Sequence, residues 1–364
     1  MPAEARETLR RWLTTGQAPP VATVEAAGEL IEAARVQGVA GLLHSAVESQ
    51  GPAWPEAARG RLREMHRSLL ARAVAQLDLA RRAQEILGRA EVRSLPLKGA
   101  ATAEWLYDSP GDRPMSDVDL LALGAWNNAV GALQREGFRV LEAADHAWGL
   151  FDPVSGGVLE LHHSVCSCPG FYATDTAGLW ERSRAGAGQV ERLPSVEDLL
   201  VHLSLHAAFQ HGLLLTLVQW LDFRRLLERG RPDAGRVAAL AARSGAEAAV
   251  AAALSAAQAV VGAPVEPSLR DLSRAWHARG LRKWVVALQA SPLAMVVPAP
   301  SRLLRVRWEL AQGRRTEWVR RTLAPTTPGG GKERPWPLRA ALRGFGLALR
   351  WGPEAWAGWK RPAP

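Results

Sequence analysis

Two aspartates one residue apart, Asp117 and Asp119, open an apolar run, "SDVDLLAL". In a strand, side chains two apart share a face, so both carboxylates point the same way while Val118 and Leu120 face the core. Like charges this close repel unless a cation lies between them. A hard, oxygen-binding divalent ion, Mg²⁺ or Mn²⁺, removes the conflict. Some forty residues later "GVLELHHSV" repeats the pattern, with Glu160 and His162 on one face and Leu159 and Leu161 on the other. Two ions about 4 Å apart must be bridged and flanked by several oxygens, so a third carboxylate from a neighbouring strand is what such a site requires. Asp117, Asp119 and Glu160 are therefore the candidate catalytic and metal-ligating set. Taken alone, a D-x-D also arises on a surface strand with one solvated face, and Lys98-Gly99 ahead of it reads equally as an ordinary strand-to-helix turn.

The elements that must position these residues are legible from texture. The first ninety residues are rich in Ala, Leu, Glu and Arg, with apolar residues at three- and four-residue steps, and read as helices. A strand is expected near Arg93 to Leu97, a helix from Gly99 to Tyr107, a turn at "DSPGDRP" and a strand from Ser116 to Ala122. A helix over "AWNNAVGALQREG" stops at Gly137, and strands follow at "FRVLEA", "HAWGLFD" and "GVLELHHSV". After residue 195 the chain turns helical again, with two helices in "PSVEDLLVHLSLHAAFQHGLLLTLVQWLDFRRLLERG" and alanine-rich helices over about 233–262. The expected class is α+β: a small mixed β-sheet core flanked by N-terminal and C-terminal helical segments. The expected divisions are an N-terminal helical segment at 1–90, the α/β core at 91–190, a helical domain at 191–300 and a basic, Trp-rich region at 301–364.

Composition narrows the classes. The chain has 364 residues, 48% of them hydrophobic, enough for a substantial core. Cys166 and Cys168 are too few and too close for a disulfide framework or a thiolate metal site, which fits a reducing cytoplasm. "MPAEARETLRRWL" lacks the apolar segment of a signal peptide. "GAEAAVAAALSAAQAVVGAPV" has spanning length but is mostly alanine and carries Glu247, so it is expected to be a buried helix. The net charge of +9 is concentrated in residues 301–364, which hold 14 Lys and Arg against four Asp and Glu.

The order strand, Lys-Gly, helix, Pro/Gly turn, Arg-Pro-x-Ser-Asp-x-Asp, helix, strands, Glu resembles the uncharacterised nucleotidyltransferase family of bacteria, within the superfamily that shares the DNA polymerase beta type of palm. The residues that carry the resemblance are "LKGAA", "LY", "PGDRPMSDVDLL" and "LELHH", between Leu97 and His163, and more loosely "LLVHLSLHAA" with "QWLDFRRLL". The resemblance implies that Asp117 and Asp119 bind the catalytic metals and that Glu160 completes the site and helps deprotonate an acceptor hydroxyl. It implies that Gly99, at a helix start, lets backbone N–H groups approach a triphosphate, and that Lys98 and Arg113 neutralise phosphate oxygens. The wider superfamily commonly has Gly-Gly or Gly-Ser at this turn. Here Ala100 follows Gly99, so either Ser116 supplies the hydroxyl or none is needed. The implied partners are a nucleoside triphosphate and an acceptor that is a small molecule, a peptide or protein, or an RNA end.

His202, His206 and Gln210 recur at four-residue steps and form a polar stripe on one helix. With His162 and Asp222, His202 and His206 are candidates to touch the nucleotide or acceptor; the same residues also read as satisfied buried polar groups. In "PLRAALRGFGLALRW" an apolar face of Leu338, Leu342, Phe345 and Leu349 lies beside Arg339, Arg343 and Arg350, with Trp336 and Trp351 flanking. Such a helix packs on the preceding domain, or lies on an anionic membrane, or grips nucleic acid. The competing functional class is a non-catalytic scaffold of this fold that docks through the tail. Three carboxylates that repel without a metal argue for the enzyme.

Overall fold

The computed structural model describes residues 3–272 except 52, 144–145, 166–174, 187, 189, 212 and 271. The two cysteines and the basic tail, with its expected amphipathic helix, lie outside the described residues. Four helices come first: α1 (Ala3–Thr15), α2 (Val24–Val36), α3 (Ala40–Gln50) and the long α4 (Glu56–Arg89). Then β1 (Arg93–Pro96) leads into α5 (Lys98–Leu106), a 3₁₀ turn at Pro110–Asp112, β2 (Val118–Leu123) and α6 (Trp126–Arg135). The strands β3 (Arg139–Ala143), β4 (Ala147–Phe151) and β5 (Val158–His162) follow. Beyond them come α7 (Thr176–Arg182), a two-stranded ribbon of Arg184–Ala185 and Arg192–Leu193, α8 (Val196–Phe209) and α9 (Leu217–Arg225). Two alanine-rich helices, α10 (Ala234–Ser244) and α11 (Glu247–Val261), complete the main elements. The chain is α+β, and the expected elements of the core all form.

The main sheet has five strands in the order β1-β2-β5-β4-β3. Only β2 and β5 run parallel; every other pair is antiparallel, so the sheet is mixed. Parallel neighbours need a long crossover, and here α6 with the β3-β4 hairpin supplies it. The consequence is that β2 and β5, far apart in sequence, lie side by side at the centre. All six residues of β2 are buried, so the sheet is covered on both faces at this strand. Val118, Leu120, Leu159 and Leu161 alternate with Asp119, Leu121, Glu160 and His162, and the second set faces α5 and α8.

One continuous hydrophobic core draws on residues from Ala5 to Leu269. Helix α4 has 34 residues and at 1.5 Å per residue reaches about 50 Å, long enough to run beside α3, β1 and β2. Gln37, at the end of α2, accepts a hydrogen bond from Leu217 N through its side chain and from Val218 N through its carbonyl. That pair of bonds ties the N-terminal helices to the start of α9 and draws both to one rim of the sheet. Among the described residues no helix is long and apolar enough to cross a membrane; α11 is a buried core helix.

Candidate active site

Asp119 and Glu160 are direct partners in the parallel register of β2 and β5. Period-two alternation aims both at the same face, and His162, two residues after Glu160, joins them. The imidazole Nε2 lies 2.8 Å from Asp119 Oδ1 and 3.1 Å from Glu160 Oε2. From the other side the Lys98 ammonium reaches the same two oxygens, at 2.7 Å and 3.3 Å. Burial works against a charged His162, yet the hydrogen bonds to Asp119 and Glu160 raise its pKa above the ordinary histidine value. Burial likewise opposes the charge on Lys98, and the carboxylates of Asp119 and Glu160 hold its pKa up. Glu160 is held well below the usual carboxylate range: burial opposes ionisation, but the His162 hydrogen bond and the Lys98 charge overcome it.

Ligand atoms of Asp119, Glu160 and His162 all lie within 4.8 Å of one another, a donor set of two oxygens and one nitrogen that fits a divalent ion. Asp117 does not belong to this group, which differs from the expected trio by having His162 in its place. The reason is a strand boundary. β2 begins at Val118, not Ser116, so Asp117 lies in the preceding loop and outside the alternation. Its carboxylate accepts a hydrogen bond from Ser116 Oγ at 2.8 Å. Burial and the charge of Asp119 push the Asp117 pKa up.

Asp117 and Asp119 open onto a cleft of about 510 Å³ also lined by Lys98, Gly99, Ser116 and His206. Gly99 lies in the first turn of α5, as expected, and lines the cleft, while Met115 fills the side on which a Cβ would stand. A Cβ there would stand 2.6 Å from Met115 Cγ, so the missing side chain admits Met115. The Met115 carbonyl accepts a hydrogen bond from Gln76 of α4 at 3.1 Å, which anchors the loop carrying Ser116 and Asp117. Lys98 itself has φ 47°, the left-handed region that few non-glycine residues occupy.

Arg113 and Asp222, expected at the substrate, line the same cleft and are paired with each other there. The guanidinium donates from Nε at 2.9 Å and from Nη2 at 2.7 Å to the Asp222 carboxylate, and from Nη1 to the Pro114 carbonyl. Tyr107 adds a hydroxyl donor to Asp222 at 2.8 Å. Both charged partners are buried, and burial together with the nearby Asp222 charge raises the Tyr107 pKa well above its ordinary value. This cluster holds the loop before β2 against α5 and α9. The stripe on α8 also divides. His206 lines the cleft, whereas His202 lines a separate, mostly apolar cavity of about 290 Å³ with Leu95, Leu97 and Leu121. Desolvation, with Lys98 adding to it, lowers the His202 pKa to about 3 and that of His206 well below the ordinary value.

Two cleft arginines come from the N-terminal helices that flank the core. Arg35 of α2 and Arg72 of α4 line the same cleft. Arg35 is paired with Glu32 on its own helix, and Arg72 makes no ion pair among the described residues. Nothing in the sequence distinguishes Arg72 from the other arginines of α4.

No curated protein matches the chain. A solution structure of the antibiotic-resistance factor ANT(2'')-Ia aligns with 46% of this chain and 90% of that one, at 15% identity and a TM-score of 0.35. The sequence profile of the family described as "Uncharacterised nucleotidyltransferase" matches residues 24–262, which takes in the N-terminal helices from α2, the whole sheet and the helices through α11. The chain therefore belongs to the uncharacterised nucleotidyltransferase family.

Proposed function

We propose that the protein moves a nucleoside monophosphate from a nucleoside triphosphate to a hydroxyl acceptor, releasing pyrophosphate, with divalent ions held by Asp119 and Glu160 and with His162 and Asp117 beside them. The observation that carries this reading is the in-register pairing of Asp119 and Glu160 at the edge of a cleft whose walls bear Lys98, Arg72 and Arg35. Mg²⁺ or Mn²⁺ bound there would lower the pKa of the attacking hydroxyl and stabilise charge on the phosphate oxygens.

The remaining work falls to the chain. The first turn of α5 opens onto the cleft at Lys98 and Gly99, and a helix N-terminus favours phosphate. Lys98 and Arg72 supply cations for the triphosphate, and Ser116 supplies a hydroxyl. Arg113 serves differently from expectation: locked to Asp222, it positions the Ser116–Asp117 loop. A proton acceptor works best with a pKa near the working pH. Asp117, raised by burial and by Asp119, suits that task better than Glu160, whose pKa is held low.

The test is transfer of label from each of the four α-labelled nucleoside triphosphates in cell extract, with Mg²⁺ or Mn²⁺ supplied. Label should appear in an acceptor with wild type. Asp119→Asn and Glu160→Gln should each lower transfer by about 10²-fold or more while remaining folded. Undiminished transfer by both variants would overturn the assignment.

A further inference from the structure

The Lys98 ammonium contacts Asp119 Oδ1 and Glu160 Oε2 together. Those oxygens are also the ones turned toward His162 Nε2, so a single lysine places a positive charge within the candidate metal-ligand set. Its side chain is 17% exposed, with the open side toward the cleft that holds Ser116 and Arg72. The backbone at Lys98 is held in the left-handed region although the residue is not glycine. Such conformations persist where the surroundings over-determine them, and they cluster at ligand clamps and switch regions.

Two consequences follow from Coulomb's law at these separations. A divalent ion and an ammonium placed on the same two carboxylate oxygens repel each other, so each weakens the other's hold. An ammonium removed from those oxygens needs another anion within reach of its four-carbon stem, and the cleft beside it is where the triphosphate is proposed to lie. We infer that Lys98 exchanges partners during substrate loading, holding Asp119 and Glu160 in the free protein and passing to the phosphates as the metal ion takes the carboxylates, so that metal and nucleotide bind in obligatory cooperation. Metal without nucleotide then meets a site already occupied by a cation. Nucleotide without metal meets a lysine already engaged. Both together satisfy every charge. This inference rests on the metal site proposed above and adds to it a coupling of metal and nucleotide binding that a plain carboxylate site does not have.

The experiment measures Mn²⁺ binding to the full chain from loss of the free-ion paramagnetic resonance signal, without nucleotide, for wild type and Lys98→Gln. Wild type should bind weakly, and Lys98→Gln should bind at least about tenfold more tightly, since the competing charge is gone. Lys98→Arg, which keeps the charge, should resemble wild type. Equal affinities in wild type and Lys98→Gln would overturn the exchange while leaving the metal site standing; no binding by any of them, with or without nucleotide, would overturn both. Wild type carries an independent arm that needs no variant to fold. Mn²⁺ alone should leave its melting temperature nearly unchanged at a concentration where Mn²⁺ with α,β-methylene nucleoside triphosphates raises it by several degrees. An equal rise with Mn²⁺ alone would also overturn the proposal.

Discussion

Arg113 and Asp222 are 109 residues apart in sequence and meet in a buried, two-nitrogen grip beside the loop that carries Ser116 and Asp117, with Asp222 also receiving the Tyr107 hydroxyl. Removing one member of such a pair leaves the other charge buried and unmatched, which costs about 3–5 kcal/mol. Asp222→Ala should therefore destabilise the protein by roughly that amount in urea unfolding, at unchanged unfolding slope. Arg113→Met with Asp222→Leu, which removes both charges, should be much less destabilised than the sum of the single changes. Additive losses would show that the pair is not the unit the geometry describes.

What the sequence alone could say divides along the same line. The β2 and β5 patterns were readable because period two in a buried strand is local, and β1, α5, α6, α8 and α9 followed from local texture. The pairing of Asp119 with Glu160 was readable once two strands on one face were granted. The pairing of Arg113 with Asp222 was not, because it depends on the fold bringing α9 against the loop. Lys98 was legible as a cation, but its partners were assigned to phosphate; its grip on both carboxylates depends on a φ of 47° that no residue type announces. Asp117 fell outside β2 because a strand boundary is set by the loop, here anchored to Gln76 of α4, and not by the apolar run.

Gly99 provides a second check on the loop. A Cβ at this position would lie 2.6 Å from Met115 Cγ and 2.9 Å from its sulfur, closer than packing allows. Gly99→Ala should push Met115 aside and cost about 1–3 kcal/mol, the usual range for overfilling a packed site. Because Met115 immediately precedes Ser116 and Asp117, nucleotide affinity should fall as well. Pairing the change with Met115→Ala, which removes the obstructing atoms, should restore most of the stability in thermal melts; no recovery would place the strain elsewhere.

The buried His202 of α8 and the half-buried His211 in the turn after it set a direction for acid stability. Desolvation, reinforced by the Lys98 charge, lowers His202 to about 3 and His211 to about 4. Above the unfolded histidine pKa of about 6.5 both states are neutral and neither residue costs stability. Below it the unfolded chain takes up protons that the fold refuses, so stability falls with pH until each folded-state pKa is reached, about 4 for His211 and about 3 for His202. Across most of that window each such histidine steepens the loss by about 1.4 kcal/mol per pH unit. Unfolding free energies measured in urea from pH 7.5 downward should thus fall less steeply for His202→Gln than for wild type. Parallel curves would mean that His202 is not held neutral.

Arg72 tests whether the N-terminal helices belong to the catalytic unit. It stands on α4 at the cleft wall, exposed and without an ion pair among the described residues, whereas Arg35 on the same wall is engaged by Glu32 and Arg113 by Asp222. A free guanidinium beside the proposed triphosphate position should contact the outer phosphates. A charge-assisted hydrogen bond of this kind contributes about 1.5 kcal/mol at the lower end of its range, which corresponds to about tenfold in affinity. Arg72→Gln should weaken nucleoside triphosphate binding by about that factor in calorimetric titration and leave nucleoside monophosphate binding unchanged, because only the outer phosphates are lost. Arg35→Gln should have a smaller effect. The difference between wild type and Arg72→Gln should shrink as salt is raised, since exposed charges are screened over about 8 Å at physiological ionic strength. Equal losses for tri- and monophosphate would place Arg72 elsewhere on the nucleotide, and no loss at all would return α4 to the role of a packing helix.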